Sequence, residues 1–187
     1  MAYPVDSFTF SWAIGADAEA ITQLVNTAYR GADGEIGWTS EAHLLGGQRI
    51  DRDMIADLLE EPDSGIILLH VAGRLKGCVH LKKLTPARAY LGLFAIRPDS
   101  QGLGLGTQLL ASAERWVRNH WQIETIEITV IPLRQELMAW YGRQGYGATG
   151  ETHPFPYGDD RFGQPKRDDL VLSVMRKTLT DADDSGV

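Results

Sequence analysis

From Phe8 to Ile14 apolar and polar residues alternate, the period of a strand with one covered face. Asp17 then stands where a helix N-cap belongs, and Ile21, Leu24, Val25 and Ala28 recur at helical spacing. The stretch 31–47 has no period and holds five glycines, so a long, partly irregular connection is expected there. Ile50, Met54, Ile55, Leu58 and Leu59 mark a second helix that Pro62 stops. Three apolar runs follow, Ile66 to Val71, Leu75 to Leu84 and Tyr90 to Ile96, with Gly73 and Pro86 between them, and read as an antiparallel meander. Leu105, Leu109, Leu110, Ala113, Trp116 and Val117 share one helical face, which predicts a helix over about 105–121. Ile126, Ile128 and Val130 alternate as a further strand. Leu137 to Gln144 reads as a short helix, and 146–153 and Leu170 to Arg176 as closing strands. A meander that leads into one strand–helix–strand crossover predicts an α/β (α+β) fold. Its sheet is mixed and mostly antiparallel, with one parallel pair and flanking helices. A single domain is expected over 1–180, with a disordered acidic tail at 181–187.

Composition narrows this picture a little. The 187 residues are 43% hydrophobic and 23% charged, as expected of a globular chain with a real core. No apolar run approaches the roughly 20 residues of a membrane helix, and MAYPVDSFTF lacks the basic and apolar regions of a signal peptide. A cytoplasmic protein with no membrane partner is therefore expected. The formal net charge of −7 argues against a nucleic-acid partner, which usually meets a basic face. Cys78 is the only cysteine. No intrachain disulfide or multi-cysteine zinc site can form, no metal is expected, and Cys78 reads as a small buried hydrophobe.

The stretch Arg97-Pro98-Asp99-Ser100-Gln101-Gly102-Leu103-Gly104-Leu105-Gly106-Thr107 carries the candidate chemistry. It joins a predicted strand to a predicted helix. Free N–H groups at a helix start, together with the positive end of its dipole, form an anion site, and glycine lets an oxyanion approach the main chain. Thr107-Gln108 follows Gly106 where a P-loop would need lysine, and the third glycine falls one position early for a dinucleotide fingerprint.

Gln101 to Gly106 resembles the Arg/Gln-x-x-Gly-x-Gly/Ala signature of the GNAT acyltransferase superfamily, and Phe94 to Pro98 looks like that family's strand-four ending. Trp140-Tyr141-Gly142-Arg143-Gln144-Gly145-Tyr146 is similar to its Leu-Tyr-x-x-x-Gly-Phe motif. The resemblance covers about residues 8–178 and points to a bacterial-type subgroup whose signature names no substrate. It implies acetyl-CoA as cosubstrate, with the pyrophosphate of coenzyme A on Gln101, Gly102, Leu103, Gly104, Leu105, Gly106 and Thr107. It further implies a pantetheine arm added along Phe94, Ala95 and Ile96, where the fourth and fifth strands splay apart. The implied activity is direct transfer of an acetyl group to the amine of a small molecule or amino acid, with Tyr141 as the acid that protonates the leaving thiolate. Arg134 stands where the family often has asparagine, either against the cofactor or in solvent.

The base is left open. His80, Glu41, Glu127 and a water chain without a dedicated base are all considered, and Glu127 is expected to face solvent. Between the first two helices, Trp38 and Glu41 can cradle a cationic acceptor by ring face and carboxylate, or belong to a self-packed loop. The stretch 153–162, with Tyr157, reads as a lid over the acceptor, a prolyl hairpin loop or a homodimer contact. A non-catalytic acyl-CoA sensor and a protein N-acetyltransferase stand as alternative functions.

Overall fold

A computed structural model describes residues 8–31 and 40–180 of the chain. In chain order it contains β1 (Phe8–Trp12), α1 (Ala18–Arg30), β2 (Leu45–Gly46), α2 (Arg52–Glu60), β3 (Ser64–Val71), β4 (Arg74–Thr85), β5 (Arg88–Ile96) and α3 (Leu105–Trp116). These are followed by β6 (Thr125–Val130), α4 (Gln135–Arg143), β7 (Gly147–Pro154), β8 (Gln164–Pro165) and β9 (Val171–Thr178). Seven strands form one sheet in the order β1-β3-β4-β5-β6-β9-β7, antiparallel throughout except for the β5–β6 pair. The expected mixed sheet is therefore present. Its parallel pair arises because α3 carries the chain from β5 across to β6.

Both faces of the sheet are covered, which explains the near-continuous apolar runs of its central strands. Ile66, Leu68 and Cys78 point to the side of α1 and α2, where they meet Ile21, Leu24, Val25 and Ile55. Ile67, Leu69, Val79 and Leu81 point to the other side and pack with Leu105, Leu109, Leu110 and Ala113 of α3.

β5 breaks this alternation. Ala89 and Leu91 face α3, yet so do Phe94 and Ile96, while Leu93 and Ala95 face α1. The parity changes at a bulge, where His80 pairs with Gly92 and Cys78 already pairs with Ala95. Leu93 takes φ +44° there, a left-handed conformation costing a branched residue on the order of 1–3 kcal/mol. β5 also pairs with β6 only at Ala89–Ile126 and Tyr90–Glu127, so from Leu91 onward the two strands separate.

Two local expectations need correction. Asp17 lies at the start of α1, but its carboxylate accepts the Ile14 N–H (2.9 Å) and closes the preceding turn instead of capping the helix. The helix predicted to 121 is α-helical to Trp116 and continues as a wider π-turn over Val117–Trp121. The 181–187 tail lies outside the described residues. No helix among the described residues is long and apolar enough to cross a membrane.

His80 sits on β4 under α2, 4% exposed. Its Nε2 is 2.8 Å from Ser64 Oγ, which in turn donates to Leu58 O. Burial pushes the imidazole pKa from 6.5 down to about 4. The unfolded chain takes up a proton that the folded chain refuses, so folding stability falls as pH drops from about 6.5 towards 4. In urea titrations across that window, His80→Gln should flatten the decline, a difference on the order of 3 kcal/mol. Equal slopes for the two proteins would remove His80 from the pH response.

Candidate active site

The separation of β5 from β6 would leave strand carbonyls without partners, and side chains supply them. Cys78 Sγ–H donates to Leu93 O (3.5 Å), Tyr29 Oη–H to Phe94 O (3.0 Å) and Gln101 Nε2–H to Ile96 O (3.0 Å). The opened strand is thus held at three successive points by β4, α1 and the glycine loop.

Beyond β5 the loop turns at Gly102 (φ +77°) and Gly104 (φ +78°), a region that only glycine enters cheaply. Gly104 is also the N-cap of α3, and no side chain caps that helix. The N–H groups of Leu105, Gly106 and Thr107 in the first turn therefore have no intrahelical acceptor. Gly106 serves differently: a Cβ there would sit 3.6 Å from Trp140 Cζ2, 3.8 Å from Ile96 Cγ1 and 3.8 Å from Phe94 Cε1. Gly106 thereby forms part of the wall of a cavity of about 520 Å³. Phe94, Ile96, Gln101, Gly102, Gly104, Gly106, Thr107 and Arg134 line that cavity, together with Trp140 and Tyr141 of α4. Ala95 and Leu105 do not line it. They are 0% and 2% exposed with their side chains in the two cores, and Leu103 packs against the α3 core.

A second cavity, of about 240 Å³, lies in the split between β5 and β6. Tyr29, Phe94, Arg134, Leu137 and Tyr141 line both cavities and so mark their junction. Part of the second cavity's wall comes from the chain between β7 and β9, which crosses the molecule to pair β8 with β2. Phe155 and Leu170 pack there against Leu44, Leu45 and Ile131, and Phe155, Pro156 and Phe162 reach the cavity.

Tyr141 is 5% exposed, and burial raises its phenol well above the ordinary value of 10. It therefore stays protonated at neutral pH. Gly145, at φ +94°, ends α4 and lets the Tyr146 N–H reach Tyr141 O (3.0 Å), which fixes the tyrosine at the junction. Tyr29 has its phenol pushed up to about 12 by burial, so it too stays protonated while it donates to Phe94 O.

Of the predicted acceptor residues that lie among the described residues, only Glu41 reaches the second cavity, and it arrives already paired. Its Oε1 accepts from Arg134 Nη1 and its Oε2 from Arg30 Nη1, both at 2.8 Å, with all three side chains at most 8% exposed. This geometry counts against Glu41 as a cradle for a cation or as a base, since each oxygen already accepts from a guanidinium group. It also settles Arg134, which is buried and ion-paired instead of solvated. His80 lies beneath α2, away from both cavities. Tyr157 is 45% exposed, and its Oη accepts the Leu170 N–H at 2.7 Å. Glu127 was expected in solvent, but is 7% exposed between Arg88 and Arg176. Trp38 lies outside the described residues. Sequence reasoning missed Tyr29 and Arg49. Tyr29 extends the α1 stripe by one residue with a polar tip, and Arg49 ends the glycine-rich connection.

Residues 19–146 match the family described as "Acetyltransferase (GNAT) family". Solved structures share the fold at low identity. Ard1 from Thermoplasma volcanium is 17% identical with a TM-score of 0.70, over 94% of this chain and 99% of that one. The putative acetyltransferase yncA from Salmonella typhimurium, solved with its cofactor acetyl-CoA, is 18% identical with a TM-score of 0.64, over 94% and 95%. A point mutant of the spermidine N-acetyltransferase SpeG from Vibrio cholerae is 14% identical with a TM-score of 0.66, over 92% and 94%. A search of curated proteins returns no match. The family match spans both the glycine loop and the Tyr141 motif, and the chain belongs to the GNAT acetyltransferase family.

Proposed function

We propose that this acetyltransferase moves an acetyl group from acetyl-CoA directly to the amine of a small molecule or amino acid. The observation that carries the reading is the position of Tyr141, a buried and protonated phenol where two cavities meet. The larger cavity fits the cosubstrate. Uncapped N–H groups at the start of α3 suit its phosphates, Arg143 on the rim adds positive charge, and the unpaired end of β5 suits its amide-bearing arm. The smaller cavity then holds the acceptor, and its volume suits a small molecule better than a peptide chain.

In this reading the chain's own groups divide the work. The loop 102–107 binds phosphate, Phe94 and Trp140 flank the arm, and Tyr141 gives a proton to the departing sulfur. The two carboxylates considered as bases are both held by arginine pairs. Water leading out of the acceptor cavity therefore takes the amine proton.

Calorimetric titration with acetyl-CoA, followed by thiol release with an amine panel, tests the assignment. No acetyl-CoA binding by the wild type would overturn it. Gly106→Leu should weaken acetyl-CoA binding at least tenfold, because a Cβ at 106 already touches Trp140, Ile96 and Phe94 of the cavity wall, and a melting curve of the variant separates a filled cavity from a lost fold. Unchanged affinity would move the cosubstrate elsewhere. Tyr141→Phe should lower kcat about 100-fold, within the usual range for a general acid, and leave acetyl-CoA affinity within twofold. An unchanged kcat would take Tyr141 out of the chemistry.

A further inference from the structure

The smaller cavity carries a charge opposite to that of the whole chain. The protein has a formal net charge of −7, yet the ionised side chains lining this cavity are two guanidinium groups, Arg49 and Arg134, and one carboxylate, Glu41. That carboxylate is fully engaged, since it also holds Arg30. Arg49 has no carboxylate partner among the described residues.

Arg49 is nevertheless held in place. Its backbone N–H donates to Asn26 Oδ1 at 2.6 Å, and Asn26 Nδ2 donates to Ile50 O at 2.8 Å, which fixes this stretch to α1. Its guanidinium lies over the Tyr29 ring, 5.4 Å from the centroid. Tyr29 is itself fixed by its bond to Phe94 O at the bulge. The half-buried cation is thus oriented by an aromatic face at the wall of the acceptor cavity. A planar guanidinium with free N–H groups in a confined site matches a carboxylate, which can take two parallel hydrogen bonds. The rest of the wall is mainly apolar, with Leu45, Ile131, Phe155, Phe162 and Leu172.

We infer that the acceptor is an amino carboxylate with an apolar body, its carboxylate bound by Arg49 and its amine directed to the junction at Tyr141. The inference rests on the acetyltransferase reading of the same site. A polyamine such as spermidine would bring several positive charges into a cavity whose carboxylate is already taken, so the cavity rejects it by like-charge repulsion. Arg134 supports the site by holding Glu41, which leaves Arg49 as the residue that reads the acceptor's negative group.

The experiment measures thiol release from acetyl-CoA with L-leucine, L-phenylalanine, the corresponding amino acid amides, and spermidine. The wild type should acetylate the acids with a kcat/KM at least 100-fold above that for spermidine. Arg49→Ala should cut the acid-over-amide preference at least tenfold, mainly through the acid's KM, and Arg49→Lys should restore part of it. Acetyl-CoA titration of both variants shows that they are folded. Spermidine turnover equal to that of the acids would overturn the inference, as would equal effects of Arg49→Ala on acids and amides. If acetyl-CoA binds but neither acid is acetylated, the amino carboxylate assignment fails alone. If acetyl-CoA does not bind, the acetyltransferase reading fails with it.

Discussion

One extra residue in β5 controls the architecture of the site. Without the bulge at Leu93, strict alternation would send Phe94 and Ile96 to the α1 face, and the wall of the larger cavity would lose both side chains. The bulge lies just beyond the two residue pairs that join β5 to β6, so it coincides with the opening between those strands. A strand end opened in this way must satisfy its own carbonyls, and Cys78, Tyr29 and Gln101 do so from three different elements. The left-handed conformation of Leu93 is the local cost of a strand that stays in the sheet on one side and leaves an open edge on the other.

This arrangement explains what could be read in the sequence. The period of α3, the apolar runs of β3 to β5 and the glycine loop each announce themselves within a dozen residues. The bulge does not, because Leu91, Gly92, Leu93 and Phe94 sit where both faces are covered, and a change of parity in an apolar run leaves no trace. The fates of charged residues were hidden for a different reason. Glu41 meets Arg134 across 93 positions and Glu127 meets Arg176 across 49, so neither pair has a local signature. An acidic residue beside irregular chain looks like an available carboxylate until its partners are known. Asp17 shows the same limit at short range: a helix-start residue can spend its carboxylate on the turn behind it.

The Arg30–Glu41–Arg134 triad joins the end of α1, the connection to α2 and the start of α4. Burying three charges carries a large desolvation cost, and a well-packed apolar cluster could provide equal stability. Its value here lies in direction. Arg30 also reaches towards Phe162 O and Gln48 O (3.5 and 3.4 Å), so the crossing chain beside the smaller cavity is referenced to the same carboxylate that positions Arg134. Gly163 makes this approach possible, since a Cβ there would fall 2.7 Å from Arg30 Nη2. The 153–170 segment is therefore built into the site through specific bonds and the short β2–β8 pairing.

The two cavities cannot vary independently. Tyr29, Phe94, Arg134, Leu137 and Tyr141 line both, so a change made at these positions to reshape the smaller cavity would also alter the wall of the larger one. Residues that line the smaller cavity alone are free of that constraint. Arg49, Phe155, Phe162 and Leu172 belong to this group; Arg49 and Phe155 lie outside the helices and strands of the fold, and Phe162 ends a single 3-10 turn. In the proposed reading the glycine loop, the bulged strand and Tyr141 fix the chemistry, while the connection after α1 and the crossing chain before β9 hold the choice of acceptor.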